Sequence, residues 1–227
     1  MKVVFAGHAC FNIIGSKNIL IDPFITGNPL AIKNWQEFEP DYILITHAHN
    51  DHLGDAVKIA KKSSATILAM VDLAEHLKEE SLEIIAFNLG GTVDMGELKV
   101  KMIPAWHGST YYGEKAPAYG GVACGYIIWL DGFCIYHAGD TALFGDMKTV
   151  IALHKLDLAL LPIGDFYTMG PQDALIAASW LKAKTVIPMH YNTFPKIYQD
   201  VDLFKKQVES QTQSMCIPLA PGEEITL

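Results

Sequence analysis

THAHNDHLGD, residues 46–55, places three histidines and an aspartate within six positions, directly after the apolar run YILI of residues 42–45. His47 and His49 are two positions apart, so in extended backbone both imidazoles project to the same side, as ligands of one metal ion must. Asp51 and His52 are adjacent, so they converge only if the chain turns there on leaving the strand for a helix near Gly54. The segment therefore predicts a metal site at a strand end, with a second pair of ligands for a second ion.

Three further candidate ligands each follow an apolar run that is typical of a strand. His107 follows VKMIPAW, Asp140 follows FCIYHAG, and His190 follows TVIPM. If these strands run in the same direction, their ends share one edge with the histidine-rich segment. Imidazole and carboxylate ligands without thiolate suit Zn²⁺ or Mn²⁺, with Fe²⁺ as a further candidate. The sequence thus predicts a pocket that holds two divalent metal ions.

The order of predicted elements indicates an α/β fold in a single domain over residues 1–227. Residues 1–25 contain three short strand-like runs, and strands alternate with helices from residue 42 to residue 87. Two packed sheets with helices on their outer faces would bury these apolar strands. Hairpins are expected to turn at Met95-Gly96 and Asp131-Gly132. Further elements are expected as helices at 55–63, 71–81, 144–154, 171–183 and 200–209, strands at 156–164 and 185–190, and a terminal hairpin at 215–227.

Residues 108–121, GSTYYGEKAPAYGG, have no periodicity, which indicates a loop longer than a connection requires. Loops of this length are often functional lids. Tyr111, Tyr112 and Tyr119 in this loop, together with Trp106, either line a pocket for a small organic ring or pack against the sheets. The sequence leaves both interpretations open.

Composition restricts the expected partners. The formal net charge is −8 and all 17 basic residues are lysines, whereas nucleic-acid-binding proteins need a basic face and use arginine heavily. No apolar run approaches the roughly 20 residues of a membrane span. The sequence begins without the features of a signal peptide. We therefore expect a cytoplasmic protein with no nucleic-acid or membrane partner.

The four cysteines follow no disulfide or zinc-binding pattern. Cys10, Cys124, Cys134 and Cys216 are scattered without C-x-x-C spacing. Neither a disulfide framework nor a thiolate zinc site is expected from this pattern, so the thiols are expected to be free and buried.

The motifs THAHNDH, HGS, HAGDT and PMHY occur in this order and together resemble the metallo-β-lactamase superfamily. GHACF and ILIDPF near the start look like its small bacterial branch of metal-dependent hydrolases, which is similar to ascorbate-6-phosphate lactonases. The resemblance covers essentially the whole chain and implies a four-layered αβ/βα sandwich. It also implies one metal held by His47, His49 and His107, a second held by Asp51, His52 and His190, and Asp140 as the bridge between them.

Other residues that match the branch are expected to support these ligands. Asp22 matches the family's aspartate at the end of an early strand and is expected to orient the histidine loop. His8 is a candidate for a catalytic role in substrate binding or proton transfer, and His137 for support of a ligand, although a purely structural role stays open for each. His76 and His154 lie in helical sequence and are expected to be structural or solvated.

The implied chemistry is hydrolysis by a metal-bridged hydroxide of a small ester, lactone or phosphoester, with Asp140 or Asp51 accepting the proton. A serine nucleophile at Ser109 lacks the G-x-S-x-G elbow. A di-iron redox site is disfavoured because such members of the superfamily usually carry glutamate where this chain has His49. Two further alternatives are a phosphodiesterase and a non-catalytic metal-binding module.

A small molecule is the expected substrate. Without arginine, a substrate phosphate would be held by lysine, backbone N–H groups or the metals, which disfavours large polyanions. Antibiotic hydrolysis is not expected for a chain without an export signal. Self-association into a homo-oligomer is left open by the sequence.

Overall fold

Two seven-stranded mixed sheets form the centre of the computed structural model, which describes residues 1–78, 81–113 and 116–227. The strands of the first sheet are β1 (Lys2–Gly7), β2 (Cys10–Ile14), β3 (Asn18–Ile21), β4 (Tyr42–Leu44), β5 (Thr66–Met70), β6 (Ile84–Phe87) and β16 (Glu224–Thr226). They lie in the order β16-β1-β2-β3-β4-β5-β6. The strands β1 to β3 form an antiparallel meander, and β3 to β6 run parallel.

The second sheet contains β7 (Thr92–Asp94), β8 (Leu98–Pro104), β11 (Cys124–Leu130), β12 (Phe133–His137), β13 (Leu158–Pro162), β14 (Thr185–Met189) and β15 (Met215–Cys216). Its strand order is β15-β14-β13-β12-β11-β8-β7. The strands β12 to β15 run parallel, and the antiparallel strand β11 separates β12 from β8. A separate two-stranded sheet pairs β9 (Thr110–Tyr111) with β10 (Ala118–Tyr119).

Helices flank both sheets and complete the four-layered αβ/βα sandwich. They are α1 (Asn50–Leu53), α2 (Ala56–Ser63), α3 (Val71–Leu77), α4 (Asp146–Thr149), α5 (Pro171–Leu181) and α6 (Val201–Gln211), with 3-10 turns at Trp35–Glu37, Ile151–Leu153 and Pro195–Ile197. α2 and α3 pack against β5 in the first sheet, and α5 and α6 pack against β13 and β15 in the second. Within the described ranges, no helix combines the length and apolar character needed to cross a bilayer.

Burial explains why the central strands are continuously apolar. Every residue of β13 and β14 is buried, because a parallel strand between a helix layer and another sheet has no face exposed to water. Buried side chains of both sheets form one core cluster. The Tyr126 hydroxyl, from β11, donates to the Ile45 carbonyl of the opposite sheet at 2.6 Å. The two sheets are therefore joined by packing and by a buried hydrogen bond.

Most predicted elements are present. The N-terminal meander, the alternation after residue 42 and both predicted hairpins are confirmed. Asp131 and Gly132 have φ values of 51° and 82°, the left-handed conformation that a type I′ hairpin turn requires. The predicted helix at 71–81 and the predicted loop at 108–121 each include two residues outside the described ranges.

The predicted terminal hairpin at 215–227 is wrong. β15 pairs in parallel with β14 in the second sheet, whereas β16 pairs antiparallel with β1 in the first. The two strands therefore extend the edges of opposite sheets. The backbone groups of both edges are satisfied by different partners, which a local turn pattern does not reveal.

Two other segments also differ from expectation. The predicted helix at 144–154 is divided into α4 and a 3-10 turn, since Val150 has φ −108° and ψ −51°, and the β-branched run Thr149-Val150-Ile151 disfavours a regular helix. Segment 108–121, expected to be an irregular loop, contains the short hairpin β9–β10.

Gly54 ends α1, directly beside the histidine-rich segment, with φ 45°. A Cβ there would lie 2.3 Å from the Pro23 carbonyl oxygen, whereas a Cβ at Gly96, with φ 81°, meets nothing within 4 Å. We expect Gly54→Ala to lower the free energy of unfolding by about 2 kcal/mol and the control Gly96→Ala by about 1 kcal/mol. Urea unfolding of the metal-free protein measures both. Equal losses would contradict the role assigned to the Pro23 contact.

Candidate metal centre

The candidate ligands lie at one edge of the sandwich, where strands of both sheets end. His47 follows β4, His107 follows β8, Asp140 follows β12 and His190 follows β14 directly. β8, β12 and β14 run in the same direction because β11 is antiparallel to both β8 and β12. The common edge expected from the sequence is therefore present, and side chains distant in sequence meet there.

The candidate ligands of the histidine-rich segment lie partly in extended chain and partly in a helix. His47 and His49 precede α1, and His49 occupies its N-cap position in extended backbone. Asp51 and His52 then lie within the first turn of α1. The turn that was expected to bring Asp51 and His52 together thus begins immediately after His49.

A first group consists of three imidazoles. One ring nitrogen from each of His47, His49 and His107 lies within 4.8 Å of the others. His47 Nε2 is 3.0 Å from His49 Nδ1. Such a set of converging neutral imidazoles is the donor set that zinc and related transition metals prefer.

A second group adds His8 to the three residues expected there. Ligand atoms of His8, Asp51, His52 and His190 lie within 4.8 Å of one another. His8 Nε2 is 3.2 Å from Asp51 Oδ2, and His8 Nδ1 is 2.8 Å from the Thr193 hydroxyl oxygen. The geometry therefore places His8 against Asp51 and between the candidate ligands and the loop that follows β14.

Asp140 lies between the two groups. Its Oδ1 is 3.3 Å from His52 Nε2, and its Oδ2 is 3.0 Å from His190 Nε2 and 3.5 Å from His107 Nε2. Asp140 also forms a cluster with His47 and His52. One carboxylate thus approaches imidazoles of both groups, as a bridging ligand would.

Unpartnered polar atoms test whether this donor set fits a metal. His52 Nε2, Asp140 Oδ1 and both ring nitrogens of His190 are buried and have no hydrogen-bond partner among the described residues. The His52 and His190 nitrogens are close to Asp140, but their geometry does not form hydrogen bonds. Buried polar groups are rarely left unsatisfied, because each costs about 1–3 kcal/mol. The convergence of these atoms fits metal ions as their missing partners.

Electrostatics in the metal-free chain follow from burial and from Asp140. Burial would raise the pKa of Asp140, but His190 and His52 hold it well below the usual value. Burial would lower the pKa of His52, but Asp140 and Asp22 raise it well above the usual value. Burial and the charge of His52 lower the pKa of His47. Metal binds deprotonated imidazole and carboxylate donors, which the lowered pKa values of Asp140 and His47 favour and the raised pKa of His52 opposes.

His8 and Asp51 form an equally perturbed pair. Burial, assisted by His190, lowers the pKa of His8 to about 4 against the opposing effect of Asp51. Burial would raise the pKa of Asp51, but the hydrogen bond from His8 outweighs it and lowers the pKa. Strongly perturbed groups in one cluster are typical of functional sites.

Asp22 anchors the histidine-rich segment through three hydrogen bonds. Its Oδ1 accepts the Thr46 backbone N–H at 2.8 Å, and its Oδ2 accepts the Thr46 hydroxyl at 2.6 Å and His52 Nδ1–H at 2.8 Å. Asp22 is fully buried. It therefore holds the Nδ1–H of His52 and leaves Nε2, 3.3 Å from Asp140 Oδ1, as the nitrogen available to a metal, the orienting role expected from the sequence.

Three residues at this edge have strained backbone conformations. His8, Asp22 and His190 are non-glycine residues with φ values of 59°, 45° and 55°. The His190 N–H donates to the His8 carbonyl at 2.7 Å and joins the two sheets beside the cluster. Left-handed conformations of this kind are retained only where the surroundings enforce them, and they cluster at functional sites.

The remaining expected residues have structural partners. Ser109 Oγ accepts the Ala48 N–H and donates to the Gly120 carbonyl, which leaves no contact that activates it as a nucleophile. His137 Nε2 donates to the Ala9 carbonyl, and its Nδ1 accepts the Gly139 N–H, so it supports the residues beside His8 and Asp140. Support of a ligand by His137 stays a prediction.

The aromatic residues expected either to line a pocket or to pack against the sheets lie in different environments. Tyr111 stacks on His76 with 4.5 Å between ring centroids, so both residues pack within the structure. The ring of Tyr112 lies 6.5 Å from that of His49 and is half exposed. Trp106 and Tyr119 are exposed. Tyr112 is thus the member of this set that faces the cluster.

Sequence reasoning missed Thr193 and the pairing of His8 with Asp51. Thr193 is buried and contacts His8 across 185 positions of sequence. Thr193 was hard to identify from the sequence, because a hydroxyl residue shortly after the candidate ligand His190 indicates no particular role. His154, expected to be structural or solvated, packs edge-on against Trp129 away from this edge.

Comparison with known proteins agrees with the geometry. Residues 2–190 match the sequence family described as the beta-lactamase superfamily domain. UPF0173 metal-dependent hydrolases of Pelotomaculum thermopropionicum and Thermococcus onnurineus are each 50% identical to this chain, over 228 and 230 residues and 100% of both chains. The solved structure of Igni18, a novel metallo hydrolase from Ignicoccus hospitalis, has a TM-score of 0.89 and 37% identity, covering 99% of this chain and 97% of that one. The chain therefore belongs to the β-lactamase superfamily, within its UPF0173 group of metal-dependent hydrolases.

Proposed function

We propose that this metal-dependent hydrolase is binuclear and acts on a small ester, lactone or phosphoester. The observation that carries the proposal is Asp140, whose two carboxylate oxygens approach imidazoles of both ligand groups. On this proposal, one ion is held by His47, His49 and His107, the other by Asp51, His52 and His190, and both by Asp140. Zn²⁺ or Mn²⁺ matches this donor set, with Fe²⁺ as an alternative.

Bound divalent ions would supply two effects, a lowered pKa of bound water and polarisation of the substrate's carbonyl or phosphoryl oxygen. The chain's own residues would orient the ions and move the proton. Asp140 is buried, so its oxygens serve as ligands that neutralise positive charge. Asp51 has a side chain that is about one-third exposed, so a proton that it accepts is closer to solvent than one on Asp140, and Asp51 is the better proton acceptor.

His8 would act through Asp51. Its Nε2 holds Asp51 Oδ2, and its Nδ1 is fixed by Thr193, so the carboxylate cannot rotate freely. A neutral imidazole with a pKa of about 4 can donate or accept a hydrogen bond without adding positive charge to the metal cluster. We therefore assign His8 to the positioning of Asp51 and to passage of its proton.

The proposal is tested by metal analysis and by turnover. Protein purified without added metal, and protein reconstituted with Zn²⁺ or Mn²⁺, is analysed by mass spectrometry for metal per chain. Each sample is then assayed on a lactone, a carboxylic ester and bis(p-nitrophenyl) phosphate. We expect about two ions per chain and hydrolysis that is lost on chelation and restored by the metal.

The substrate that the protein prefers in this screen indicates the class of reaction. Preference for the ester or lactone over the phosphodiester would support acyl hydrolysis, and the reverse would favour a phosphodiesterase. Binding of a single ion after reconstitution would contradict a binuclear centre. Binding of two ions without turnover of any substrate would favour a binding role.

A further inference from the structure

We infer that the pocket beside the second ligand group selects substrates that carry an anionic group on an apolar body, and that Lys196 binds this anion. The inference deepens the proposed function, on which it rests. It names a specificity-determining residue that lies outside the ligand set. The anion is a carboxylate or a phosphate monoester, two groups that a lysine ammonium recognises by the same chemistry.

The pocket opens directly onto the proposed metal site. It has a volume of about 460 Å³ and is lined by Asp51, Tyr167, His190, Phe194, Pro195 and Lys196. Asp51 and His190 belong to the second ligand group, so a molecule in this pocket reaches the reacting edge. Phe194 also contacts the His8 ring, with 5.5 Å between ring centroids. The apolar wall therefore continues down to the cluster.

Lys196 supplies the positive charge of this pocket. Its Nζ lies 4.5 Å from the centroid of the Phe166 ring. This cation–π contact leaves the N–H donors of Lys196 available to a ligand. Within residues 1–78, 81–113 and 116–227, no carboxylate forms an ion pair with Lys196. In a chain with net charge −8, a lysine without an acidic partner beside a reaction centre is available to an anionic ligand.

The two loops that carry these residues are tied together. Gln199 Nε2 donates to the Gly164 carbonyl at 3.1 Å, which joins the loop after β14 to the loop after β13. The Asn192 N–H donates to the Ile197 carbonyl at 2.9 Å, and Ile197 is fully buried. Lys196 therefore stands on an anchored 3-10 turn opposite Phe166. The side chain of Lys196 is exposed, but the anchored turn and the Phe166 ring restrict where its ammonium group lies, which lowers the entropic cost of binding.

An apolar wall with one cation predicts a particular substrate shape. The aromatic side chains offer contact area to a ring or short alkyl body. The ammonium group attracts an anion and repels only another cation. A substrate whose scissile bond lies at the metal edge can place its anion at Lys196. Neutral molecules of the same shape would lose this interaction.

Two matched esters test the inference on metal-reconstituted protein. 4-Acetoxybenzoate carries a carboxylate, and 4-acetoxybenzamide is its neutral analogue of similar shape. In each, hydrolysis breaks the acyl C–O bond, adds the hydroxyl of water to the acetyl carbon and leaves the proton with the phenol. We expect Lys196→Met to lower the ratio of kcat/KM for the benzoate to that for the benzamide about tenfold, mainly through KM. Lys196→Arg keeps the charge and is expected to retain most of the preference.

Salt dependence gives an independent readout. In the wild type, KM for 4-acetoxybenzoate is expected to rise with ionic strength, because salt screens exposed charges. In Lys196→Met this dependence should weaken. Lys148→Met, which removes an exposed lysine on α4 away from the pocket lining, is the matched control and should keep the wild-type ratio. A merely structural role for Lys196 would not change the ratio or the salt dependence.

Binding of the products separates this inference from the proposed function. Calorimetric titration with 4-hydroxybenzoate and 4-hydroxybenzamide requires no turnover, and Lys196→Met should weaken binding of the benzoate alone. 4-Acetoxyphenyl phosphate, used as a third substrate, shows whether phosphate is preferred to carboxylate. Failure of the wild type to hydrolyse any of these esters would count against ester hydrolysis in the proposed function. Equal discrimination between charged and neutral molecules in wild type and Lys196→Met would overturn the inference about Lys196.

Discussion

Replacing Asp140 by asparagine is expected to lower kcat/KM about 10³-fold or more and to reduce the bound metal to one ion per chain or fewer. Asp140 is the carboxylate shared by both ligand groups, and its two oxygens contact His52, His190 and His107. Asparagine keeps the shape but removes the charge, which leaves the buried imidazoles without their counter-ion. Metal analysis and steady-state kinetics on the preferred substrate of the wild type measure both effects.

Asp157→Asn is the matched control for this substitution. Asp157 precedes β13, accepts the Cys134 N–H at 2.8 Å and pairs with Lys184, away from the cluster. Its replacement should affect stability without changing metal content. If Asp140→Asn retained two ions per chain and near-normal kcat/KM, Asp140 would not be the bridge and the proposed assignment of both metals would fail.

Much of the candidate site could be predicted because its candidate ligands occupy recurrent positions in the fold. His107, Asp140 and His190 each follow a strongly apolar strand, and parallel strands bring their carboxyl ends to one edge. The local spacing of His47 and His49 gave their common direction. The structure brings all these residues together, while their roles as metal ligands stay predictions that the substitutions above test.

Other parts of the site depend on contacts that no local pattern contains. The bond between His8 and Thr193 forms only when the loops after β1 and β14 meet across the two sheets. Lys196 follows a proline in a short connection, where a single lysine is indistinguishable from any solvated surface residue. Its significance comes from the orientation of the 3-10 turn and from the neighbouring Phe166 ring.

The errors in the fold have the same origin. The pattern over 215–227 correctly indicated two strands, but pairing depends on which sheet edges are open, and these strands join opposite edges. The helix expected at 144–154 is interrupted because β-branched residues at its centre favour other backbone conformations. The prediction relied on the apolar periodicity and did not take this local preference into account.

Asp22→Asn is expected to weaken binding at the second metal site about 10–100-fold while the first site is retained. If the new side-chain amide donates to His52 Nδ1, the imidazole proton must move to Nε2, the nitrogen that faces Asp140. The opposite amide orientation would set its NH₂ group against the Thr46 backbone N–H, a contact between two donors. Either arrangement also lowers the free energy of unfolding, by about 1–3 kcal/mol.

Competition with a chromogenic chelator measures the two sites separately, and urea unfolding of the metal-free protein measures stability. Asp41→Asn is the control, because Asp41 also accepts a backbone N–H, from Asn18 at 2.7 Å, but lies in an exposed position before β4. Its metal affinity should equal that of the wild type. Unchanged affinity at both sites in Asp22→Asn would show that His52 keeps its tautomer without Asp22, because the other contacts of α1 would then suffice to orient the ligand.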